Sequence, residues 1–325
     1  MVESLCSQMY KQKIITVLIP AYNEEKLIRK TIQSVPDFVD KIVVTDDVSM
    51  DKTREIVEDI MKNDSKLLLI NHKTNQGVGG AIATMYKWAK DNETDIAVVI
   101  NGDGQMDPKD MPKLLDALIE DGADFAKGNR LLTSGVRERM PAVRYYASQF
   151  LSLFTKIASG YWHVIDPQSG YTAINKKALK QIDWDKLYKR YGQPNDLLVK
   201  LNVANMRVKD VPINPIYNIG EKSGIKIGRL VFTLSWLLFK DFLWRMKEKY
   251  IVRDFHPLVF FYFLGGFFWV ATVILSVRLF YIWWIAGEIP PINALAAMFT
   301  FMGGSFFTLF AMWFDMTSNE DLKLI

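Results

Sequence analysis

Two long apolar stretches constrain the fold of this chain more than any other feature. Pro257–Val277 contains 21 residues and Ile292–Phe314 contains 23, and neither stretch has a charged side chain. An α-helix needs about 20 apolar residues to cross the hydrocarbon core of a bilayer. The sequence therefore predicts a two-span transmembrane hairpin with a short tail at 256–325.

The flanks of these stretches predict their orientation. Lysines and arginines cluster before the first stretch, whereas the link from Arg278 to Pro291 is aromatic and contains one basic residue. Basic flanking segments remain preferentially on the cytoplasmic side of a membrane. We therefore expect an integral membrane protein whose N-terminal part and C-terminus both lie on the cytoplasmic face.

A shorter apolar segment precedes the first predicted span. Leu230–Phe239 is apolar for only ten residues, which is too few to cross a bilayer, and basic residues flank it on both sides. This pattern is typical of an amphipathic helix that lies in the membrane interface. We assign that role to 226–255, with a packed core helix as the alternative.

The first 100 residues alternate between strand and helix patterns. Short apolar runs at Ile14–Pro20, Lys41–Thr45, Lys66–Asn71 and 96–100 each read as a buried strand, and helical patterns separate them. This alternation predicts an α/β fold with a mostly parallel sheet and right-handed crossovers. We also expect Asn23 to cap the first helix, and Val208–Ile213 to form an edge strand.

Composition excludes several classes of function. The single cysteine, Cys6, rules out an intrachain disulfide, and the three histidines are scattered, which disfavours a zinc site. A net charge of +4 without a basic stripe disfavours nucleic acid as a partner.

A polar turn after the fourth predicted strand is the strongest functional signal. Asn101, Asp103, Gln105 and Asp107 follow the apolar run that begins at Ala97. Open α/β sheets bind ligands at the carboxyl ends of their strands. Oxygen ligands of this kind suit Mg²⁺ or Mn²⁺, which usually bridge to phosphates of a substrate. An ordinary surface turn is the alternative.

Six segments of the chain carry a family resemblance, and in order they are VLIPAYNEE, VVTDDVSMDKT, NQGVGGA, INGDGQMDP, GNR and DPQSGY. Together they resemble the family 2 inverting glycosyltransferases of GT-A fold. More narrowly, they are similar to membrane-anchored polyprenyl-phosphate mannose or glucose synthases, whose acceptors are dolichyl or undecaprenyl phosphate. The resemblance covers about residues 14–226 and implies a GT-A domain at 1–225.

The resemblance implies roles for individual residues on the donor side. The nucleotide-sugar pocket should include residues of the first three segments and two lysines of a later glycine-rich loop, and the metal should bind to the polar turn. Asn101 stands where the family usually has an aspartate, which removes one negative charge beside the metal. The implied nucleotide-sugar residues are Pro20, Tyr22, Glu24, Asp46, Asp47, Gly77, Asn101, Lys222 and Lys226, and the implied metal ligands are Asn101, Asp103 and Gln105.

On the acceptor side, the resemblance implies that Arg130, Arg144 and Ser148 hold the acceptor phosphate. Asp166 and Asp196 are candidates to orient sugar hydroxyls, and together with Asp103 and Arg130 they complete the predicted catalytic set.

The function expected from these features is metal-dependent transfer of a hexose from a UDP- or GDP-sugar to a polyprenyl phosphate. Direct displacement by the acceptor phosphate would invert the anomeric carbon, and the product would be a lipid-linked donor for glycan or glycoprotein assembly. Paired glycines in both spans also permit a homo-oligomer. The alternatives are a different lipid or polysaccharide acceptor, or a membrane-anchored nucleotide-sugar binder without catalysis.

Overall fold

The computed structural model describes residues 10–132, 142–214, 216 and 227–324, without the side chains of 142–148 and 227–230. It contains two compact units. One, the sheet unit, comprises Met1–Phe242 with Asp321–Ile325, and the other, the helical unit, comprises Leu243–Glu320. The division into 1–225, 226–255 and 256–325 made from the sequence stays a prediction.

The first unit is built on one sheet, whose described strands follow the order β3-β2-β1-β4-β6-β5-β7-β8. Neighbouring strands pair in parallel except β6, which is antiparallel to both β4 and β5. The predicted α/β fold with a mostly parallel sheet is confirmed. The strands are β1 (Ile15–Ala21), β2 (Lys41–Asp46), β3 (Leu67–Asn71), β4 (Ile96–Val99), β5 (Phe125–Asn129), β6 (Thr172–Asn175), β7 (Val208–Pro212) and β8 (Lys323–Leu324).

Helices pack against both faces of this sheet, and three longer helices follow β7 in the chain. In chain order they are α1 (Ile28–Gln33), α2 (Thr53–Met61), α3 (Val78–Asp91), α4 (Met111–Ile119), α5 (Ala142–Ser159), α6 (Lys176–Gln181), α7 (Gln193–Val203), α8 (Ile227–Lys247), α9 (Leu258–Ala286) and α10 (Pro291–Ser318). Short 3₁₀ turns occur at Tyr10–Gln12, Pro108–Asp110, Trp184–Lys186 and Glu320–Leu322, and a π-helical segment spans Glu248–Arg253.

The central strand β1 shows why this sheet is buried on both faces. All seven of its residues are buried. Because side chains alternate along a strand, Ile15, Val17 and Ile19 pack into the core on one face, while Leu18 packs into the core on the other. A near-continuous apolar run is the pattern expected of such a strand.

Two local predictions in this unit are wrong. Helix α1 begins at Ile28, so Asn23 does not cap it; Asn23 lies in the left-handed region (φ 57°), and its side chain accepts a hydrogen bond from the Met50 N–H at 2.8 Å. Strand β7 is not at the edge of the sheet, because β8, after the two apolar helices, pairs with it. A partner so distant in sequence leaves no local signal.

The apolar stretches form α9 and α10, which are long and apolar enough to cross a bilayer. The predicted link from Arg278 to Pro291 is too long, since α9 continues to Ala286. No glycine or proline lies between Arg278 and Gly287, and the left-handed conformation of Gly287 (φ 70°) ends the helix. Large apolar side chains point outward along both helices, for example Phe263, Phe267 and Leu309.

Helix α8 presents two apolar faces. Leu234 and Leu238 are buried and pack in one cluster with Leu151 of α5 and Val199 of α7. On the other side, Phe232, Trp236 and Phe239 are more than half exposed. The first face accounts for packing on the sheet unit, and the exposed aromatic face is typical of a helix at a membrane interface.

Candidate active site

The sheet brings the predicted donor-side residues to one edge. In the register of β1, Ala21 lies opposite Asp46 of β2, and Leu18 lies opposite Val99 of β4. The turns that follow these three parallel strands are therefore neighbours at their carboxyl ends. The ends of these strands and the turns after them carry the predicted residues Pro20, Tyr22, Glu24, Asp46, Asp47, Asn101, Asp103 and Gln105.

The polar turn at 101–107, called the Asp103 turn below, packs directly against the turn after β1. A Cβ atom placed on Gly102 would lie 3.2 Å from the Pro20 carbonyl oxygen and 3.4 Å from Cγ of Glu24. The Asp103 carboxylate accepts a hydrogen bond from the Gln105 N–H at 3.1 Å. Burial, followed by the charges of Asp103 and Asp51, raises the pKa of Glu24 to about 7. Negative charge is thus concentrated beside Asp103.

The chemistry of this turn fits a hard divalent cation. In the part of the chain that the structure describes, no three His, Cys, Asp or Glu side chains are grouped closely enough to hold a metal ion by themselves. The amide oxygens of Asn101 and Gln105 would have to join the Asp103 carboxylate, and such oxygen sets suit Mg²⁺ and Mn²⁺.

Asp47 is the second predicted aspartate of the nucleotide pocket. It supports the turn around Gly77 that leads into α3, called the Gly77 turn below. It is 3% exposed, and its carboxylate accepts the N–H groups of Gln76 at 2.8 Å and Gly77 at 2.7 Å. His72 contacts the same carboxylate through Nδ1 at 2.7 Å. Gly77 is left-handed (φ 82°), and a Cβ atom there would lie 2.6 Å from the Lys189 carbonyl oxygen. Only glycine satisfies both constraints at this turn.

Arg130 and Asp166 form a two-point ion pair at the end of β5. The arginine Nε donates to one carboxylate oxygen at 2.8 Å, and Nη2 donates to the other at 3.0 Å. Asp166 is 1% exposed as a side chain, whereas Arg130 keeps 24% exposed. Burial acts to raise the pKa of Asp166, but the Arg130 charge and hydrogen bonds hold it below its usual value. The arginine is thus fixed in orientation while part of it faces outward.

One short turn, 166–170, connects Arg130 to the Asp103 turn. Its first residue, Asp166, pairs with Arg130. At its other end, a Cβ atom placed on Gly170 would lie 3.2 Å from Oδ1 of Asn101 and 3.3 Å from Cε of Met106. The two ends of this turn therefore contact the predicted phosphate-binding arginine and the predicted metal-binding turn.

Four predicted residues fall outside the described side chains: Arg144, Ser148, Lys222 and Lys226. Their neighbours are described. The Ser152 hydroxyl of α5 donates to the Ile165 carbonyl at 2.8 Å, and positions 148 and 144 precede Ser152 by one and two helical turns. The Ile216 N–H donates to the Gln105 carbonyl at 3.0 Å, so Ile216 contacts the Asp103 turn.

Asp196 contacts Tyr188 and its own helix α7. It is 3% exposed, accepts the Tyr188 N–H at 2.7 Å, and pairs with Lys200. It thereby anchors the segment at 188–192, whose Lys189 carbonyl accepts the Gly80 N–H at 3.2 Å on the nucleotide side. The contacts of Asp196 are those of a residue that supports the Gly77 turn.

Sequence reasoning missed two charged residues beneath Arg130. Lys127 of β5 is fully buried, and Asp210 of β7 accepts hydrogen bonds from Asn129 at 2.6 Å and from the Ile165 N–H at 2.8 Å. The sequence carries a weak signal for Lys127, since a lysine directly follows the apolar residues Phe125 and Ala126 in β5. Asp210 carries no such signal, because another charged residue, Lys209, precedes it in β7.

Comparisons with known proteins found relatives that match more than two thirds of this chain. A UDP-N-acetylglucosamine–dolichyl-phosphate N-acetylglucosaminyltransferase of Methanococcus voltae is 32% identical over 236 residues, which are 68% of this chain and 94% of that protein. An undecaprenyl-phosphate mannosyltransferase of Micrococcus luteus is 28% identical over 227 residues, which are 68% of this chain and 92% of that protein.

The fold is shared with a solved enzyme. Glucosyl-3-phosphoglycerate synthase from Mycobacterium tuberculosis, crystallised with Mg²⁺ and UDP, superposes with a TM-score of 0.53 at 19% identity, covering 75% of this chain and 83% of that one. At this identity the likeness establishes the fold alone. The family model for glycosyl transferase family 2 matches residues 16–183. The resemblance found in the sequence is therefore confirmed, and the chain belongs to glycosyl transferase family 2.

Proposed function

We propose that this protein transfers a hexose from a UDP- or GDP-sugar to a polyprenyl phosphate, with inversion at the anomeric carbon. The observation that carries the proposal is the 166–170 turn, whose two ends contact Arg130 and Asn101. A fixed arginine close to a cation-binding turn suits a reaction between two phosphate-bearing substrates. The named dolichyl- and undecaprenyl-phosphate transferases among its relatives support the same acceptor class.

On the donor side, Asp103, Gln105 and Asn101 would hold Mg²⁺ or Mn²⁺. The metal, when bound, neutralises charge on the diphosphate and so makes the nucleotide a better leaving group. The backbone of the Gly77 turn, held by Asp47, would lie beside the nucleotide. Lys222 and Lys226 would add positive charge from the loop that follows Ile216.

On the acceptor side, Arg130 would bind the lipid phosphate through N–H groups, with Arg144 and Ser148 on α5. A phosphate oxygen would attack the anomeric carbon while the bond to the nucleoside diphosphate breaks and its electron pair leaves with the diphosphate. Because the acceptor phosphate is already an anion at neutral pH, this step needs no general base. Asp166 would serve chiefly to orient Arg130, and Asp196 to support the donor side.

The apolar helices complete the proposal. We place α9 and α10 across a membrane and the exposed aromatic face of α8 in its interface, with the sheet unit on the cytoplasmic side. An active site held at this level would meet a lipid phosphate among the headgroups without extracting the lipid.

A donor screen tests the proposal. Purified full-length protein in detergent is mixed with Mg²⁺ or Mn²⁺, a polyprenyl phosphate and a panel of UDP- and GDP-sugars, and release of nucleoside diphosphate is recorded. We expect lipid-dependent release with one donor, which Asp103→Asn abolishes. Asp107→Asn is the matched control, because Asp107 caps the next 3₁₀ turn through its side-chain oxygen, which an asparagine retains.

Three outcomes of the screen would count against the proposal. Release that does not depend on the lipid would indicate a different acceptor. No release with any donor, even after Asn101→Asp, would favour a nucleotide-sugar binder. Equal loss in the Asp103→Asn and Asp107→Asn variants would remove the special role of Asp103.

A further inference from the structure

A buried lysine lies beneath the acceptor side of the site. Lys127 is fully buried in β5, and its ammonium donates a hydrogen bond to the Ser169 carbonyl. Removing a lysine charge from water is costly unless specific partners compensate for it. The contact with Ser169 shows one such partner, and it belongs to the same 166–170 turn that pairs with Arg130.

The carboxylates around Lys127 hold the first end of this turn. Asp166 pairs with Arg130, and Asp210 accepts the N–H of Ile165, the residue immediately before Asp166. Both carboxylates act on Lys127 with their charges. Lys127, Arg130, Asp166 and Asp210 therefore form a group of two cations and two anions, of which Arg130 is the partly exposed member.

Stability alone does not require an ammonium at this position. Buried ion pairs are often no more stabilising than apolar side chains of the same size, because desolvation offsets the attraction between the charges. An apolar residue at 127 would continue the pattern of β5 but would offer no hydrogen bond to the Ser169 carbonyl. The charge at 127 thus has its clearest consequence in the conformation of the 166–170 turn.

We propose that Lys127 is a positioning residue for acceptor binding: its ammonium fixes the Ser169 carbonyl and balances Asp166 and Asp210, and so orients Arg130 toward the acceptor phosphate. This inference rests on the proposed function. Lys127 is sealed from solvent and acts through Arg130. The Gly170 end of the turn is held separately, because Tyr171, the next residue, is fully buried.

The test compares Lys127→Met with Lys177→Met in the full-length protein. Lys177 pairs with the buried Asp124 just before the other end of β5, so its replacement also removes a lysine from a buried aspartate. For Lys127→Met we expect the acceptor KM to rise, or acceptor-limited kcat/KM to fall, by about 10- to 100-fold, the scale of a small misplacement in an active site. Binding of the nucleoside diphosphate product, measured by calorimetry, should remain within about twofold, and Lys177→Met should match the unmodified protein.

Two results would overturn the inference. One is an unchanged acceptor KM and kcat/KM in a folded Lys127→Met protein. The other is an equal loss of acceptor and nucleotide binding, which would indicate a general structural role. Failure of the proposed function is a separate result, since the unmodified protein would then show no lipid-dependent release at all.

The pH profile of the unmodified protein provides a test that needs no substitution. The pKa of Lys127 is lowered to about 8, chiefly by burial; the charges of Asp166 and Asp210 act against this change, and the charge of Arg130 adds to it. Above this pH the group loses one cation, so we expect the acceptor KM to rise between about pH 7 and 9 in the unmodified and Lys177→Met proteins. A folded Lys127→Met protein should lack this rise. A constant acceptor KM over this range in the unmodified protein would contradict the inference.

Discussion

Two arginine–aspartate pairs with nearly the same contact distances occupy different regions of this molecule. In the sheet unit, Arg130 contacts both carboxylate oxygens of Asp166 at 2.8 and 3.0 Å. In the helical unit, Arg245 contacts both carboxylate oxygens of Asp315 at 2.8 and 2.9 Å. The first arginine is 24% exposed as a side chain, whereas both members of the second pair are 0% exposed.

The partners around each pair explain this difference. Asp315 also accepts the Tyr250 hydroxyl at 2.7 Å, and Asn319 donates to that hydroxyl at 2.8 Å, so the second pair is enclosed by side chains of its own unit. Arg130 lies at a strand end, beside the turn that reaches Asn101. The two pairs therefore differ in the exposure of the arginine and not in the pairing itself: part of Arg130 is open to solvent, whereas Arg245 is enclosed.

The largest expected effect is on the enclosed pair. Arg245→Met leaves Asp315 buried without its cation, and breaking a buried pair in this way costs about 3–5 kcal/mol. We expect the free energy of unfolding of the helical unit to fall by this amount, measured by thermal or denaturant unfolding in detergent.

The double variant Arg245→Met/Asp315→Leu is the control for this effect. With both charges removed, most of the lost stability should return, because neither member of the pair is left buried without its partner. Equal destabilisation of the single and double variants would mean that packing around Arg245, and not its charge, holds this region together.

The Arg130–Asp166 pair is called the half-open pair here because part of Arg130 is exposed. Replacement of its arginine should reduce activity more than stability. Arg130→Gln keeps donors for Asp166 but removes the charge that would face the acceptor phosphate. We expect lipid-dependent transfer to fall about 100- to 1000-fold, with a smaller loss of unfolding free energy than Arg245→Met gives. Arg29→Gln is the matched control, because Arg29 pairs with Asp59 at an exposed position. A large loss of stability in Arg130→Gln with transfer intact would remove the distinction between the pairs.

A pH-dependent effect is expected at Asp210, beneath the half-open pair. Burial, with the nearby charge of Asp166, raises the pKa of Asp210 from 3.8 to about 6. Between these values the folded state binds more protons than the unfolded state, so this group adds stability on acidification and loses it as pH rises through 6. Relative to Asp210→Asn, the unmodified protein should therefore gain about 1–2 kcal/mol between pH 7 and 5.

This difference is measured by denaturant unfolding of both proteins at each pH. Asparagine can keep both hydrogen bonds of Asp210, because Asn129 and the Ile165 N–H donate to the same oxygen. Parallel pH profiles of the two proteins would show that Asp210 does not titrate in this range.

Local patterns in the sequence were sufficient for much of the fold and for the strand ends that carry the predicted donor-side residues. The buried run of β1 and the polar turn at Asp103 are contiguous segments, and the parallel sheet follows from the alternation of strand and helix. Both ion pairs depend on tertiary packing, since their partners are 36 and 70 residues apart. The same limit explains the error at β7, whose second neighbour comes from the C-terminus.

The smallest expected effect is at Gly170, where the 166–170 turn contacts the Asp103 turn. An added Cβ would lie 3.2 Å from Oδ1 and 3.3 Å from Nδ2 of Asn101, so Gly170→Ala should displace the amide by a few tenths of an ångström. We expect the concentration of Mg²⁺ or Mn²⁺ for half-maximal transfer to rise about threefold, with unfolding unchanged, as a distorted ligand binds its metal less tightly. Gly266→Ala in the helical unit is the control, because no atom lies within 4 Å of a Cβ at that position. If Gly170→Ala leaves the metal dependence unchanged, Asn101 is not a ligand, and the contact between the 166–170 turn and the Asp103 turn serves packing alone.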